Sequence, residues 1–283
     1  MNRDQRQALA RDTLATLGRG SYPGPAGAVE FAAAQRAAET GSRLYRPGDA
    51  ADLLRELTWP AGPLAEVRVH PTTTLAAAAQ LAKRYKRVGV LNFASARHPG
   101  GGFLGGSQAQ EESLARSSGL YPCLTQFGEM YAYNARPAST ALYSDYLVHS
   151  PQVPVLRHDD GSWRSQPLLL DIITAPAVNA GALARNAPDL LPQLMPTMRQ
   201  RLRLVLAAAA RHGTEALVLG AWGCGVFGND PRQVAQLFAE ALAEPGIRGR
   251  FRHLDFAIFD PKPPHTTLQA FADELRVEVA ATV

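Results

Sequence analysis

Gly100, Gly101 and Gly102 are followed, after a seven-residue spacer, by Gln110, Glu111 and Glu112. This spacing sets bare backbone beside two carboxyl groups. Glycine has no Cβ, so a ligand can approach the main chain and find N–H groups free to contact an anion. A Glu side chain can deliver and retrieve a proton during bond cleavage. Together these residues point to a phosphorylated sugar and the hydrolysis of a bond to it. Neighbours in sequence on a helix point about 100° apart, so the two carboxyls cannot easily face each other across a substrate as acid and nucleophile. The economical mechanism has one carboxyl perform both proton transfers. A second glycine run, Gly223-Cys224-Gly225-Val226-Phe227-Gly228-Asn229, comes more than a hundred residues later.

The elements around these runs alternate. Short apolar stretches over 67–70, 88–93, 146–150, 168–174, 216–220 and 254–259 read as strands. Residues 73–85, 190–211, 231–243 and 266–274 read as helices. The first sixty or so residues read as helical and amphipathic over 5–17, 26–40 and 49–57, broken by Gly/Pro segments such as 18–25. This pattern predicts an α/β fold, a layered sheet with helices on both faces, and two domains: a helical N-terminal extension over 1–64 and an α/β domain over 65–283. Both glycine runs fall just past the carboxyl ends of strands, where such folds bind ligands. The first leads into a helix expected to begin near Ser107; the second leads into a helix marked by Asp230-Pro231. Helix starts favour anions by about 0.3–1 kcal/mol per exposed contact, so a diphosphate could lie across both.

The rest of the chain narrows the function. With 283 residues and 46% hydrophobic content, it is long enough for a substantial core. Apolar runs such as 168–173 are far short of the roughly 20 residues of a membrane span. The opening MNRDQRQALARDTL lacks the apolar core of a secretory signal, which gives the expectation of a cytoplasmic protein. Cys123 and Cys224 are far apart and outside any Cys/His cluster, so neither disulfide nor zinc is indicated. The net charge of +4 suits a polyanionic ligand, but no dense basic stripe with interleaved aromatics suggests nucleic acid. A dinucleotide-dependent oxidoreductase is disfavoured, because the second glycine run lacks a first βαβ unit before it and an acidic ribose-binding residue after it.

Read together, 91–95 (LNFAS), the Gly100-Gly101-Gly102 to Gln110-Glu111-Glu112 element and the 223–229 loop resemble the bacterial-type poly(ADP-ribose) glycohydrolases, which are macrodomain enzymes. The likeness implies a three-layer α/β/α macrodomain-like mixed sheet with an N-terminal helical extension. It also implies hydrolysis of ribose–ribose O-glycosidic bonds in poly(ADP-ribose), releasing ADP-ribose without metal or organic cofactor and so reversing ADP-ribosylation, as in the response to DNA damage. The substrate would be the polymer or ADP-ribosylated proteins, and the enzyme a monomer. By the same resemblance Glu112 is the acid/base, Glu111 orients the ribose hydroxyls and Gln110 supports both. Gly100 to Gly102 approach the distal ribose and its phosphate. Gly223, Cys224, Gly225, Val226 and Gly228 wrap the diphosphate, and Phe227 packs on the distal ribose. Ser95 stands where macrodomains place an Asn that contacts ribose. Without the carboxylates, the same loops would make a non-catalytic ADP-ribose or poly(ADP-ribose) binding domain.

Several neighbours have plainer readings. Phe103 reads as core, His98 as a turn residue, Cys224 as a packing residue and not a nucleophile, and Asn92 as a tie between the strand end and the glycine loop. Gly105 and Gly106 stand open between loop flexibility and contact with the site. A carboxyl that donates a proton at neutral pH needs a raised pKa, and the adjacency of the two glutamates supplies some of that pressure.

Overall fold

A computed structural model describes residues 1–58 and 62–280 of the chain. The N-terminal part comprises helix α1 (Arg3–Arg19), a hairpin of β1 (Ser21–Gly24) and β2 (Gly27–Glu30), helix α2 (Ala32–Gly41), strand β3 (Arg43–Tyr45) and helix α3 (Ala50–Leu54), which is flanked by 3₁₀ turns. The hairpin corrects the expectation of a helix from residue 26. Gly20, left-handed at φ 77°, ends α1, and its carbonyl accepts from the N–H groups of both Phe31 and Ala32. The chain between is thereby closed into a loop that pairs Tyr22 with Val29. Tyr22 stacks on Trp163 at 4.9 Å, and Val29 and Phe31 join the same small core. Burial of these aromatics outweighs the helix propensity of the alanines.

Seven strands form one mixed sheet. β4 (Glu66–His70), β5 (Val88–Phe93), β6 (Leu147–Arg157), β7 (Trp163–Ala175), β8 (Ala216–Leu219) and β9 (His253–Ala257) join β3 in the order β3-β6-β7-β5-β8-β9-β4. The pairs from β7 through β5, β8 and β9 to β4 are parallel, whereas β6 runs antiparallel to both β7 and β3. The sheet therefore takes its edge strand β3 from the N-terminal part. β6 and β7 outrun the stretches expected from sequence because they form one long hairpin whose register shifts after Ser150. Pro151 and Gln152, the latter at φ 46°, occupy that irregularity and interrupt the apolar pattern.

The remaining helices are α4 (Thr74–Leu81), α5 (Gln110–Ser117), α6 (Leu120–Thr125), α7 (Gly128–Ala135), α8 (Ala180–Asn186), α9 (Leu194–Arg211), α10 (Pro231–Ala243), α11 (Pro245–Arg248) and α12 (Thr266–Leu275). Alternation along β5 sends Val90 into a core shared with α4, α5, α6 and α7, and Leu91 into one shared with α3, α9, α10 and α12. The architecture is a three-layer, macrodomain-like α/β/α sandwich. Because β4, β5, β8 and β9 run parallel, their carboxyl ends share one edge, and the loops after them meet there. No helix among the described residues is long and apolar enough to cross a membrane.

Candidate active site

The loop after β5 folds tightly. Gly101 N–H donates to the His98 carbonyl, and the Gly102 carbonyl accepts from Gly105 and Ser107. Gly100 and Gly101 both sit in the left-handed region, at φ 70° and 59°, where side chains other than glycine are strained. Residues 103–105 form a 3₁₀ turn and Gly106 is left-handed, so α5 begins at Gln110 and not near Ser107. This delay puts Gln110, Glu111 and Glu112 in the first turn of α5, facing the end of β5.

Each of the three side chains makes a different set of bonds. Gln110 stitches helix to strand: its Oε1 accepts from Phe93 N–H at 2.9 Å and its Nε2 donates to the Leu91 carbonyl at 2.7 Å. Glu111 is buried, 2% exposed. Its Oε2 accepts from Ser95 N–H at 2.6 Å and its Oε1 from Asn92 Nδ2 at 3.2 Å. Desolvation outweighs those two bonds and, with the neighbouring Glu112, pushes the Glu111 carboxyl up to about 8. Glu112 Oε1 accepts from Gly102 N–H at 2.9 Å, and its Oε2 has no partner among the described residues. A Cβ on Gly101 would collide with Glu112 Oε1, so glycine at this position is what leaves room for the carboxyl.

The second glycine loop follows β8. Trp222 anchors it through Nε1 to the Ala175 carbonyl at 3.1 Å, and Asn229 Nδ2 ties the Val178 and Gly223 carbonyls. Gly223, at φ 78°, packs where a Cβ would meet Ala177 and Asn229. Gly228 N–H closes on the Gly225 carbonyl, and the Phe227 carbonyl accepts from Gly181. The N–H groups of Gly225, Val226 and Phe227 find no acceptor among the described residues, which forms a run of donors suited to an anion. The start of α10 differs from the expectation. Asp230 Oδ1 accepts from Gln233 N–H at 2.9 Å and caps that helix itself, so the loop, not the helix end, offers the donors.

The two loops enclose a cavity of about 900 Å³. It is lined by Ser95, Gly101, Gly102, Gln110, Glu111, Glu112, Gly223, Cys224, Gly225, Val226 and Phe227, all expected from the sequence. Gly100, which is buried, and Gly228, which is exposed, do not line it, and each shapes its turn through a positive φ. Among the described residues no group of three or more His, Cys, Asp or Glu is arranged to hold a metal ion.

The family model described as "Microbial-type PARG, catalytic domain" matches residues 10–158, just over half of the chain. The chain belongs to the microbial-type poly(ADP-ribose) glycohydrolase family. A crystal structure of the glycohydrolase from Thermomonospora curvata matches at 45% identity and a TM-score of 0.90, covering 96% of this chain and 100% of that one. The same enzyme bound to the inhibitor ADP-HPD matches at 44% identity and 0.88, with 96% and 99% covered. The enzyme from Deinococcus radiodurans in complex with ADP-ribose matches at 48% identity and 0.81, over 85% of this chain and 96% of that one. No curated protein matches.

Within this glycohydrolase site Ser95 and Asn92 make contacts other than those their sequence reading gives. Ser95 meets the carboxyl through its backbone, while its Oγ accepts from Arg97 and His98 N–H and shapes the turn. Asn92 ties to Glu111 and to Thr174, not to the glycine loop. Cys224 is held as a thiol, its pKa pushed by burial to about 12. Phe103 is fully buried against Tyr121. Phe259 went unnoticed because the sequence places it inside a strand. β9 stops at Ala257, and the ring stands 69% exposed on the cavity rim beside Ile258 and Asp260. Thr72 and Thr73 also line the cavity, whereas His70 turns away to pair with Asp255 at 2.9 Å.

Proposed function

We propose that Glu112 is the general acid/base of this glycohydrolase, that Glu111 and Gln110 set its position, and that Gly225, Val226 and Phe227 hold the diphosphate of the terminal ADP-ribose. The reaction is hydrolysis of the ribose–ribose O-glycosidic bond of poly(ADP-ribose), with ADP-ribose as the product. One observation carries the assignment: Glu112 keeps one oxygen on Gly102 N–H and the other unpaired, at the wall of the cavity that also collects the free N–H groups of the second loop. A glutamate-to-alanine mutant figures among the matching Thermomonospora curvata structures, and the Deinococcus radiodurans match holds ADP-ribose.

In the proposed sequence Glu112 protonates the departing ribose oxygen and then takes a proton from the water that attacks the anomeric carbon. Burial pushes the neighbouring Glu111 carboxyl up to about 8, so Glu111 places no negative charge beside the group that moves the protons. The diphosphate, folded back by the second loop, faces the positive charge that develops on the ribose ring. Phe227 supplies an apolar surface for the distal ribose. The protein works as a cytoplasmic monomer without metal, organic cofactor or sequence-specific nucleic-acid contact. Residues 1–64 act as an extension docked on a catalytic domain of 65–283.

Incubating the purified protein with poly(ADP-ribose) and separating the products tests the reading. Shortened polymer and free ADP-ribose are expected. Polymer retained on the protein at full length would instead mark a binding domain.

A further inference from the structure

Gly105 and Gly106 take no part in the cavity, yet the chain is tightly held there. Gly106 is left-handed at φ 74°, and a Cβ on it would sit 2.5 Å from the Arg3 carbonyl and 2.9 Å from Gln7 Cγ. Helix α1 thus lies directly on this turn. Its side chains bind the turn's backbone: Arg3 Nε donates to the Gly105 carbonyl at 2.9 Å, Gln7 Nε2 to the same carbonyl at 3.1 Å, and Arg6 Nε to the Gly106 carbonyl at 2.8 Å. Further along, Thr13 Oγ1 donates to the Arg116 carbonyl at 2.6 Å, and Ala10 packs with Phe103 and Ala115. α1 therefore touches both the turn that follows Gly102 and the helix that carries Glu112. From the other side, Arg116 Nη1 donates to the Ser107 carbonyl at 2.7 Å.

The clamped segment is one bond away from the catalytic contact. Gly105 and Ser107 donate to the Gly102 carbonyl, while Gly102 N–H holds Glu112 Oε1. The loop has few side chains of its own to fix it, so its position depends on groups that reach its carbonyls from outside.

We propose that Arg3, Arg6 and Gln7 of α1 are positioning residues for hydrolysis: by holding the Gly105 and Gly106 carbonyls they keep Gly102 N–H on Glu112. This inference rests on the assignment of Glu112 above. Misplacement of a reacting group by about 1 Å costs about 100-fold in rate, whereas the diphosphate loop lies elsewhere. The α1 contacts should therefore govern kcat and leave binding alone.

The test is the triple variant Arg3→Ala/Arg6→Ala/Gln7→Ala, compared with Arg11→Ala on the exposed face of the same helix, in steady-state release of ADP-ribose from poly(ADP-ribose). The expected result is kcat lowered about 10- to 100-fold, with KM and ADP-ribose affinity within about threefold of wild type. Arg11→Ala should behave as wild type. Arg3→Lys/Arg6→Lys, which keeps a donor at each position, should recover part of the rate. Should the triple variant not fold, Arg3→Ala, at an exposed position, carries the same split with a loss of about 3- to 10-fold.

An unchanged kcat overturns the inference. So does a raised, salt-sensitive KM at unchanged kcat, because that would make the arginines polymer contacts. Failure of the functional reading looks different: no ADP-ribose from wild type, or full activity in Glu112→Gln.

Discussion

Replacing Gly101 by alanine adds one methyl group at the point where the two carboxyls come closest to the backbone. The new Cβ would overlap Glu112 Oε1 and stand 3.0 Å from its Cδ and 3.1 Å from Glu111 Oε2. Gly101 also holds φ 59°, where an alanine costs about 1–2 kcal/mol. The flexible end of Glu112 is the part that gives way. Retreat by on the order of 1 Å carries a rate penalty of about 100-fold. Loss of the Gly102 N–H bond to Glu112 Oε1 removes the anchor of the retreated carboxyl as well. The variant should therefore release ADP-ribose about 100-fold more slowly. Its affinity for ADP-ribose by calorimetry should stay within about threefold, because the N–H donors of Gly225 to Phe227 are untouched. Stability should fall by about 1–2 kcal/mol from the backbone strain. A kcat within about threefold of wild type would refute the argument that this glycine exists to seat the acid.

Three further outcomes follow from the same geometry. Burial holds the Glu111 carboxyl at about 8 in the folded protein, against about 4.3 when unfolded. Its relative stabilisation is therefore present below about pH 4.3 and lost as pH rises towards 8, by a few kcal/mol. Glu111→Gln should flatten the pH dependence of Tm across that window, and a parallel wild-type slope in the variant would count against burial as the cause. In the second loop, a Cβ on Gly225 meets nothing, whereas on Gly223 it meets Ala177 Cβ at 2.6 Å with φ at 78°. Gly225→Ala should melt like wild type and Gly223→Ala should lose about 2 kcal/mol or more; equal Tm values would contradict the packing described. Cys224, with its thiol pushed to about 12, should resist alkylation at neutral pH until the protein is unfolded, and rapid labelling of the native state would show that the thiol is not held as described.

The sequence revealed the chemistry more fully than the scaffold. Glycine runs and adjacent carboxyls carry their function in residue type, and the parallel strands around them alternate cleanly enough to place both loops at one edge. β5 and α10 fall where the pattern put them. The β1–β2 hairpin did not, because its stability comes from Tyr22 stacking on Trp163, a partner some 140 residues away that no local pattern encodes. Phe259 was hidden for a related reason: an apolar residue following an apolar strand reads as core, and only the end of β9 at Ala257 places it on the rim. The resemblance divided the labour between the glutamates, but which of them carries the raised pKa was out of reach of residue type. Adjacent carboxyls look alike in sequence, but the raised pKa belongs to Glu111, whose burial outweighs the bonds it accepts from Asn92 and Ser95.

The central claim is that Glu112 moves the protons while other groups hold the substrate, and one paired measurement on Glu112→Gln addresses it. Turnover of poly(ADP-ribose) and calorimetric affinity for ADP-ribose should separate. Turnover is expected to fall by at least about 100-fold, and affinity to stay within about threefold of wild type. Turnover close to wild type, or losses of turnover and affinity in equal measure, would contradict the account.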